Sequence, residues 1–211
     1  MTKVDISNLV TETRSPKTMN LDDMTVGEIL KTMNEEDALV PLRVREVLPQ
    51  IEIAVTKIIE ALKVGGRLFY IGSGTSGRLG ILDAVECPPT FSTTTEVNGI
   101  IAGGPDAFIQ AKEGAEDNEE QGMQDILDAQ ITDKDVVVGI AASGRTPHTI
   151  GALKKANEIG AYTISIACNP NSKVGKVAKL AIDMNLGPEI ITGSTRLKSG
   201  TAQKLVLNML S

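Results

Sequence analysis

The chain contains no tryptophan, and only three phenylalanines and two tyrosines among 211 residues. Its core must therefore come from Val, Ile, Leu, Ala and Met, and no row of rings is available as a stacking platform for RNA bases. Histidine occurs once, as His148, and the two cysteines, Cys87 and Cys168, stand far apart without CxxC spacing. This usage argues against a clustered metal site and fits a cytosolic, metal-free protein. Lysine and arginine number 21 against 27 aspartates and glutamates, with no basic run, so nucleic acid and anionic membranes are poor partners. No apolar run approaches the ~18 residues of a membrane span, and the polar opening from Met1 to Ser15 lacks the apolar core of a signal peptide. A soluble, cytoplasmic protein is expected.

The aliphatic residues are arranged in two periods. Residues 1–24 are polar, carry a turn signal at Ser15-Pro16 and read as an extended arm. Asp22 and Thr25 are candidate caps for a short helix through Met33. A longer helix is expected from about Val40 to Leu62, because Val44, Val47, Leu48, Ile51, Val55 and Ile58 recur at three-and-four spacing. Pro49 falls inside that pattern and is expected to kink it.

Beyond Gly65-Gly66, strands at 67–72, 96–101, 135–140, 162–167 and 179–184 alternate with helices at 76–86, within 106–129, at 147–158, near 173–178 and from about 199. This alternation predicts an α/β fold: a three-layer sandwich with a five-stranded parallel sheet over residues 25–211. The last residues, Leu205 to Ser211, lie within an apolar helical pattern with no stop signal. They read as a chain cut short of further C-terminal helices.

Two segments repeat one design, a buried strand entering a small, hydroxyl-rich loop that opens a helix. Loop one is Gly72-Ser73-Gly74-Thr75-Ser76-Gly77-Arg78, and loop two is Ala142-Ser143-Gly144-Arg145-Thr146-Pro147. Such loops cradle anions: glycine lets the backbone approach, hydroxyls donate, and free N–H groups at a helix start face the ligand. Loop one lacks the Lys-Ser/Thr ending of a P-loop, and neither loop has the glycine spacing of a dinucleotide site. They point to a phosphorylated small molecule rather than a nucleotide. In loop two, Pro147 suits the first helical turn and leaves the N–H groups of Gly144, Arg145 and Thr146 for an anion. The plainer alternative is an ordinary capped helix start.

A third polar segment, from Thr192 to Thr201, follows the last strand. Its position predicts that it closes the same pocket through Ser194 and Thr195, with Lys198 or Arg196 either holding an anion or remaining solvated. Ligands in such sheets sit beyond the carboxyl ends of the strands, where loops one and two lie.

Two carboxylates are candidates for acid/base chemistry. Glu86 precedes Cys87-Pro88-Pro89, which should stop its helix and hold the side chain in a partly enclosed corner. Glu116 lies in Glu113-Gly114-Ala115-Glu116-Asp117. Spacing alone does not raise either above a solvated glutamate.

Taken together, the motifs resemble the N-acetylmuramic acid 6-phosphate etherase family of the sugar isomerase (SIS) superfamily. The likeness runs from Gly72 to Arg78, through Leu79 to Pro89, Ile101 to Gly104, Glu113 to Asp117, Val138 to Pro147, Cys168 to Pro170 and Gly193 to Lys204. It implies a carbon-oxygen lyase that removes D-lactate from N-acetylmuramic acid 6-phosphate during cell-wall sugar recycling, acting as a cytoplasmic homodimer without cofactor. It also implies a helical C-terminal part that this chain lacks. Carried over by motif, the acid/base glutamates match Glu86, as principal, and Glu116 at the carbon acid. The phosphate falls to Ser143, Gly144, Arg145 and Thr146, with Thr75 and Ser76 contributing and Ser73 and Gly74 beside them.

Two other readings compete. The superfamily includes sugar-phosphate sensors, which need the anion loops but not a positioned pair of carboxylates, and isomerases, which would bind similar ligands without releasing lactate.

Overall fold

The computed structural model describes residues 9–211. Fourteen elements follow in order: α1 (Val26–Asp37), α2 (Val40–Arg45), α3 (Leu48–Lys63), β1 (Leu68–Gly72), α4 (Gly74–Phe91), β2 (Val97–Ile101), α5 (Asp106–Ile109), α6 (Glu119–Asp128), β3 (Val136–Ile140), α7 (Pro147–Ile159), β4 (Tyr162–Ala167), α8 (Lys173–Val177), β5 (Leu180–Asp183) and α9 (Lys198–Leu210). The five strands form one parallel sheet in the order β2-β1-β3-β4-β5, as the alternation predicted. Among the described residues no helix is long and apolar enough to cross a membrane.

Strand period 2 divides the core between the two sheet faces. Leu68, Tyr70, Val136, Val138, Ile164 and Ile166 face a layer built from α2, α3, α4 and α9, including Val44, Ile51, Ile58, Ala84 and Val206. Phe69, Ile71 and Val137 face α6, α7 and α8, through Ile126, Leu153, Ala156 and Val174. Small residues let the aromatic-poor core close tightly. Gly77 shows the effect: a Cβ there would lie 2.6 Å from the Gly72 carbonyl oxygen and 2.7 Å from Ile101 Cγ1, so α4 can rest directly on β1 and β2.

Three helix expectations are corrected. The single helix over 40–62 is two helices, because Pro49 lies in the first turn of α3, where a missing N–H costs nothing. It starts a helix instead of kinking one. Thr25 caps α1 in a reciprocal box, its hydroxyl accepting from Glu28 N at 3.3 Å while Glu28 Oε2 accepts from Thr25 N at 2.8 Å; Asp22 belongs to the preceding 3-10 turn. α1 also continues beyond Met33 to Asp37. Finally, α4 runs through Pro88 and Pro89 to Phe91 and ends at Ser92, whose φ of 58° is left-handed. The two prolines lie in its last turns and remove N–H groups without breaking the coil.

Over its described part the N-terminal arm packs on the domain; its first eight residues lie outside the described residues. Thr11 and Asn169 exchange hydrogen bonds, Thr11 N to Asn169 Oδ1 at 3.3 Å and Asn169 Nδ2 to Thr11 Oγ1 at 2.9 Å. The Thr18 hydroxyl donates to the Ile190 carbonyl at 2.9 Å.

Candidate active site

β1 has β2 on one side and β3 on the other, with Gly72 opposite both Ile101 and Ile140. The chain order therefore reverses across β1, and loops one and two leave adjacent strands at their carboxyl ends. A crevice at such a reversal is where parallel sheets bind ligands.

Loop one enters α4 through Ser73 and Gly74. Among the described residues the buried Ser73 Oγ has no hydrogen-bond partner, and Gly74 adopts φ 54°. Both line a cleft of about 180 Å³ together with Arg78, Ala107, Lys112, Glu113 and Glu116. Loop one and Glu116 thus share one cleft within a single chain. Thr75 instead lines a separate cleft with Arg196, Thr201 and Lys204, of about 370 Å³. Ser76 is buried and donates its hydroxyl to Gln203 Oε1 at 3.0 Å, which ties α4 to α9.

Loop two is held by its own turn. Gly144 takes φ 70° against Ser172, and its N–H donates to the Ala141 carbonyl at 2.9 Å. That corrects the expectation for Gly144, whose N–H is used internally. Among the described residues no backbone bond takes up the N–H groups of Arg145 and Thr146, and Thr146 caps α7 without a side-chain bond. Ser143 is partly exposed beside them, its carbonyl accepting from Asn169 Nδ2 at 3.2 Å.

Glu116 sits on the 3-10 turn Ala115–Asp117. Although it keeps an open face to solvent, its carboxyl is raised above the ordinary glutamate range. Withdrawal from water comes first as cause, then repulsion from Asp117 and Glu113, with Arg145 pulling the other way. The influence of Arg145 brings loop two within electrostatic reach of Glu116. A carboxyl group of raised pKa is the better base towards a carbon acid.

Glu86 is not in an enclosed corner. Because α4 continues past the prolines, Glu86 projects from its exposed outer face, near the exposed Leu82 and Val85. It stands eleven residues beyond Thr75, about 16 Å along the helix. The larger apolar cleft of about 640 Å³ between α4, β2 and α6, lined by Ile81, Val85 and Val97, contains none of the loop hydroxyls.

Lys198 is not solvated but buried and paired inside the fold. It is 2 % exposed, and its ammonium donates to Glu36 Oε2 at 2.6 Å and to the Leu186 carbonyl at 3.0 Å. Ser194 and Thr195 form the turn before α9 and do not line the Glu116 cleft. His148 is fully buried and pairs with Asp125 at 2.7 Å, fastening α7 to α6. Both cysteines are buried thiols, and burial pushes Cys168 up to about 12.

The comparisons decide the family. A protein of Vibrio campbellii named N-acetylmuramic acid 6-phosphate etherase is 59% identical over 207 residues, 98% of this chain and 67% of that protein. One of Lactiplantibacillus plantarum, named N-acetylmuramic acid 6-phosphate etherase 2, is 58% identical over 209 residues, 99% of this chain and 71% of that protein. The chain belongs to the N-acetylmuramic acid 6-phosphate etherase family. Within this etherase-family chain, the glucokinase regulatory protein N-terminal SIS domain matches residues 50–157 and the SIS domain matches residues 114–211. The fold is shared with a phosphoheptose isomerase of Neisseria gonorrhoeae, at TM-score 0.68 and 18% identity over 88% of this chain and 96% of that one. It is also shared with the Vibrio vulnificus NanR protein complexed with ManNAc-6P, at TM-score 0.63 and 13% identity over 87% of this chain and 61% of that one.

The motif reading missed Glu36 and Glu189. Glu189 is buried and accepts from Lys198 N at 3.0 Å, Ser199 N at 2.9 Å and the Ser199 hydroxyl at 2.9 Å, an internal anion at the start of α9. Nothing in Gly187-Pro188-Glu189 announces that role.

Proposed function

We propose that this chain is a carbon-oxygen lyase that cleaves the D-lactyl ether of N-acetylmuramic acid 6-phosphate, giving N-acetylglucosamine 6-phosphate and D-lactate in the cytoplasm. The observation that carries the reading is the cleft in which Glu116, with its raised pKa, meets loop one. The etherase names of its relatives favour the same substrate.

In this reading the substrate phosphate lies against the free N–H groups of Arg145 and Thr146 and the hydroxyl of Ser143. That remote charge holds the reacting carbons in place. Glu116 removes the proton from the carbon beside the open-chain aldehyde. The ether bond on the neighbouring carbon then breaks, its electron pair leaving with the lactyl oxygen, which takes a proton from an acid. Water adds across the resulting double bond, so the net change is hydrolysis of the ether.

Glu86 is the proposed acid, and later the base for water. Its place on an exposed face with Leu82, Val85 and Phe91 supports a homodimer in which a second copy covers that face and brings Glu86 to the neighbouring site.

The experiment is D-lactate release from N-acetylmuramic acid 6-phosphate by the unaltered chain, Glu86→Gln, Glu116→Gln and an equal mixture of the two variants. Each variant alone is expected to lose release, and the mixture to regain part of it. Near-normal release by Glu116→Gln would refute its assignment. Phosphosugar binding without any release would favour a sensing protein, the reading closest to the glucokinase regulatory protein match.

A further inference from the structure

We propose that Arg78 reads the lactyl carboxylate of the substrate, a reading that rests on the etherase activity proposed above. The carboxylate distinguishes this substrate from other amino-sugar phosphates, and it lies only a few bonds from the carbon that loses its ether oxygen. Its receptor must therefore share a cleft with the acid/base group. Glu116 and Arg78 line the same small cleft.

Arg78 is prepared for such a ligand. Its Nε donates to the Phe108 carbonyl at 2.7 Å and its Nη2 to the Ala107 carbonyl at 2.8 Å. Two neutral carbonyls from α5 fix the plane of the guanidinium without cancelling its charge. One Nη2 hydrogen and both Nη1 hydrogens remain, and a carboxylate can engage the Nη edge bidentately. Among the described residues Arg78 has no carboxylate partner.

The other cations near the loops are engaged by protein groups or lie outside this cleft, with Lys112 sharing its wall. Lys112 donates to the Gly103 carbonyl at 2.7 Å and lies 3.7 Å from Asp106. Arg145 acts on Glu116. Arg196 lines a different cleft, and Lys198 is paired with Glu36. Glu113 and Glu116 supply the negative charge of the cleft, and the uncompensated Arg78 is what allows a further anion to enter beside them. The buried Ser73 Oγ on the same wall, without a partner among the described residues, adds a further donor.

The test is calorimetric titration in a Glu116→Gln background, which blocks turnover, with Arg78 unaltered, Arg78→Gln or Arg78→Lys. Two ligands are compared: N-acetylmuramic acid 6-phosphate, and N-acetylglucosamine 6-phosphate, which keeps sugar and phosphate but lacks the carboxylate. Arg78→Gln is expected to weaken the first by about 10- to 100-fold and leave the second within about twofold. Arg78→Lys is expected to recover part of the loss, since it keeps the charge but not the fork. Equal weakening of both ligands would reduce Arg78 to a brace for α5 and overturn the proposal, as would no weakening of either or no binding of N-acetylmuramic acid 6-phosphate at all. Carboxylate discrimination through Arg78 in a chain that never releases lactate would remove the etherase reading while leaving this one standing. Lactate release without that discrimination would do the reverse.

Discussion

Glu36→Gln tests the buried pairing that separates Lys198 from the substrate. The two residues are 162 apart in sequence, yet Lys198 Nζ lies 2.6 Å from Glu36 Oε2, with the side chains 2 % and 11 % exposed. Burial works to raise the Glu36 carboxyl, but hydrogen bonds from Lys17 and Lys198 outweigh it and hold it below the ordinary glutamate range. Lys17 is open to solvent, so its attraction is screened. Replacing Glu36 with glutamine leaves the Lys198 ammonium buried against the Leu186 carbonyl and a neutral amide. One-sided removal from a buried pair costs about 3–5 kcal/mol, and the amide oxygen, as a remaining acceptor, puts this case near the lower end.

With a urea slope of about 2–3 kcal/mol/M, the midpoint should fall by about 1–2 M at constant slope. Adding Lys198→Met should restore most of the loss, since an apolar side chain in place of a buried ion is close to neutral, and the coupling should exceed about 1.5 kcal/mol. A midpoint shift below about 0.3 M for Glu36→Gln would refute the reasoning. So would a double variant as unstable as the sum of the singles. The double variant should also bind N-acetylglucosamine 6-phosphate as the unaltered chain does, because Lys198 is spoken for inside the fold.

Gly77→Ala would drive a methyl into the Gly72 carbonyl at 2.6 Å and should cost about 2–3 kcal/mol in thermal unfolding, whereas a change below about 0.5 kcal/mol would mean α4 does not rest on β1 as described. Burial works to raise Asp135, but the Arg67 side chain and the N–H groups of Thr132 and Arg67 hold it below the ordinary aspartate range. Its folded pKa is depressed, so its stabilisation is complete above the unfolded value of about 3.9 and lost as pH falls through the folded value. Asp135→Asn should therefore lower stability at neutral pH by about 2–4 kcal/mol and flatten the fall in urea midpoint below about pH 4; an unchanged acid slope would contradict this. Glu116→Gln removes a carboxyl repelled by Asp117 and Glu113, so lactate release should vanish while stability at pH 7 stays level or rises by a few tenths of a kcal/mol. A clear loss of stability would instead mark Glu116 as a structural residue.

The fold and its loop-bearing edge were legible in the strand periodicity and the glycine- and hydroxyl-rich loops, because both depend on local backbone preference and burial. Strand limits at 162–167 match outright, and those at 67–72, 96–101, 135–140 and 179–184 agree within a residue at either end. Helix ends were less legible. Pro49 and the Pro88-Pro89 pair read alike as breakers, and only their position within a turn decides whether an N–H is missed.

Motif and spacing singled out loop one and loop two, the family resemblance added Glu116, and all three lie at one sheet edge by topology. They could not tell that Ser76 turns inward to Gln203, that the Gly144 N–H closes its own turn, or that Lys198 meets Glu36. Ser76 and Lys198 find partners more than a hundred residues away, whereas the Gly144 turn closes on Ala141 three residues back, with Ser172 packed against it. Pattern fixes which residues can bind an anion; which of them remain free to do so is decided by the tertiary contacts that satisfy the others first.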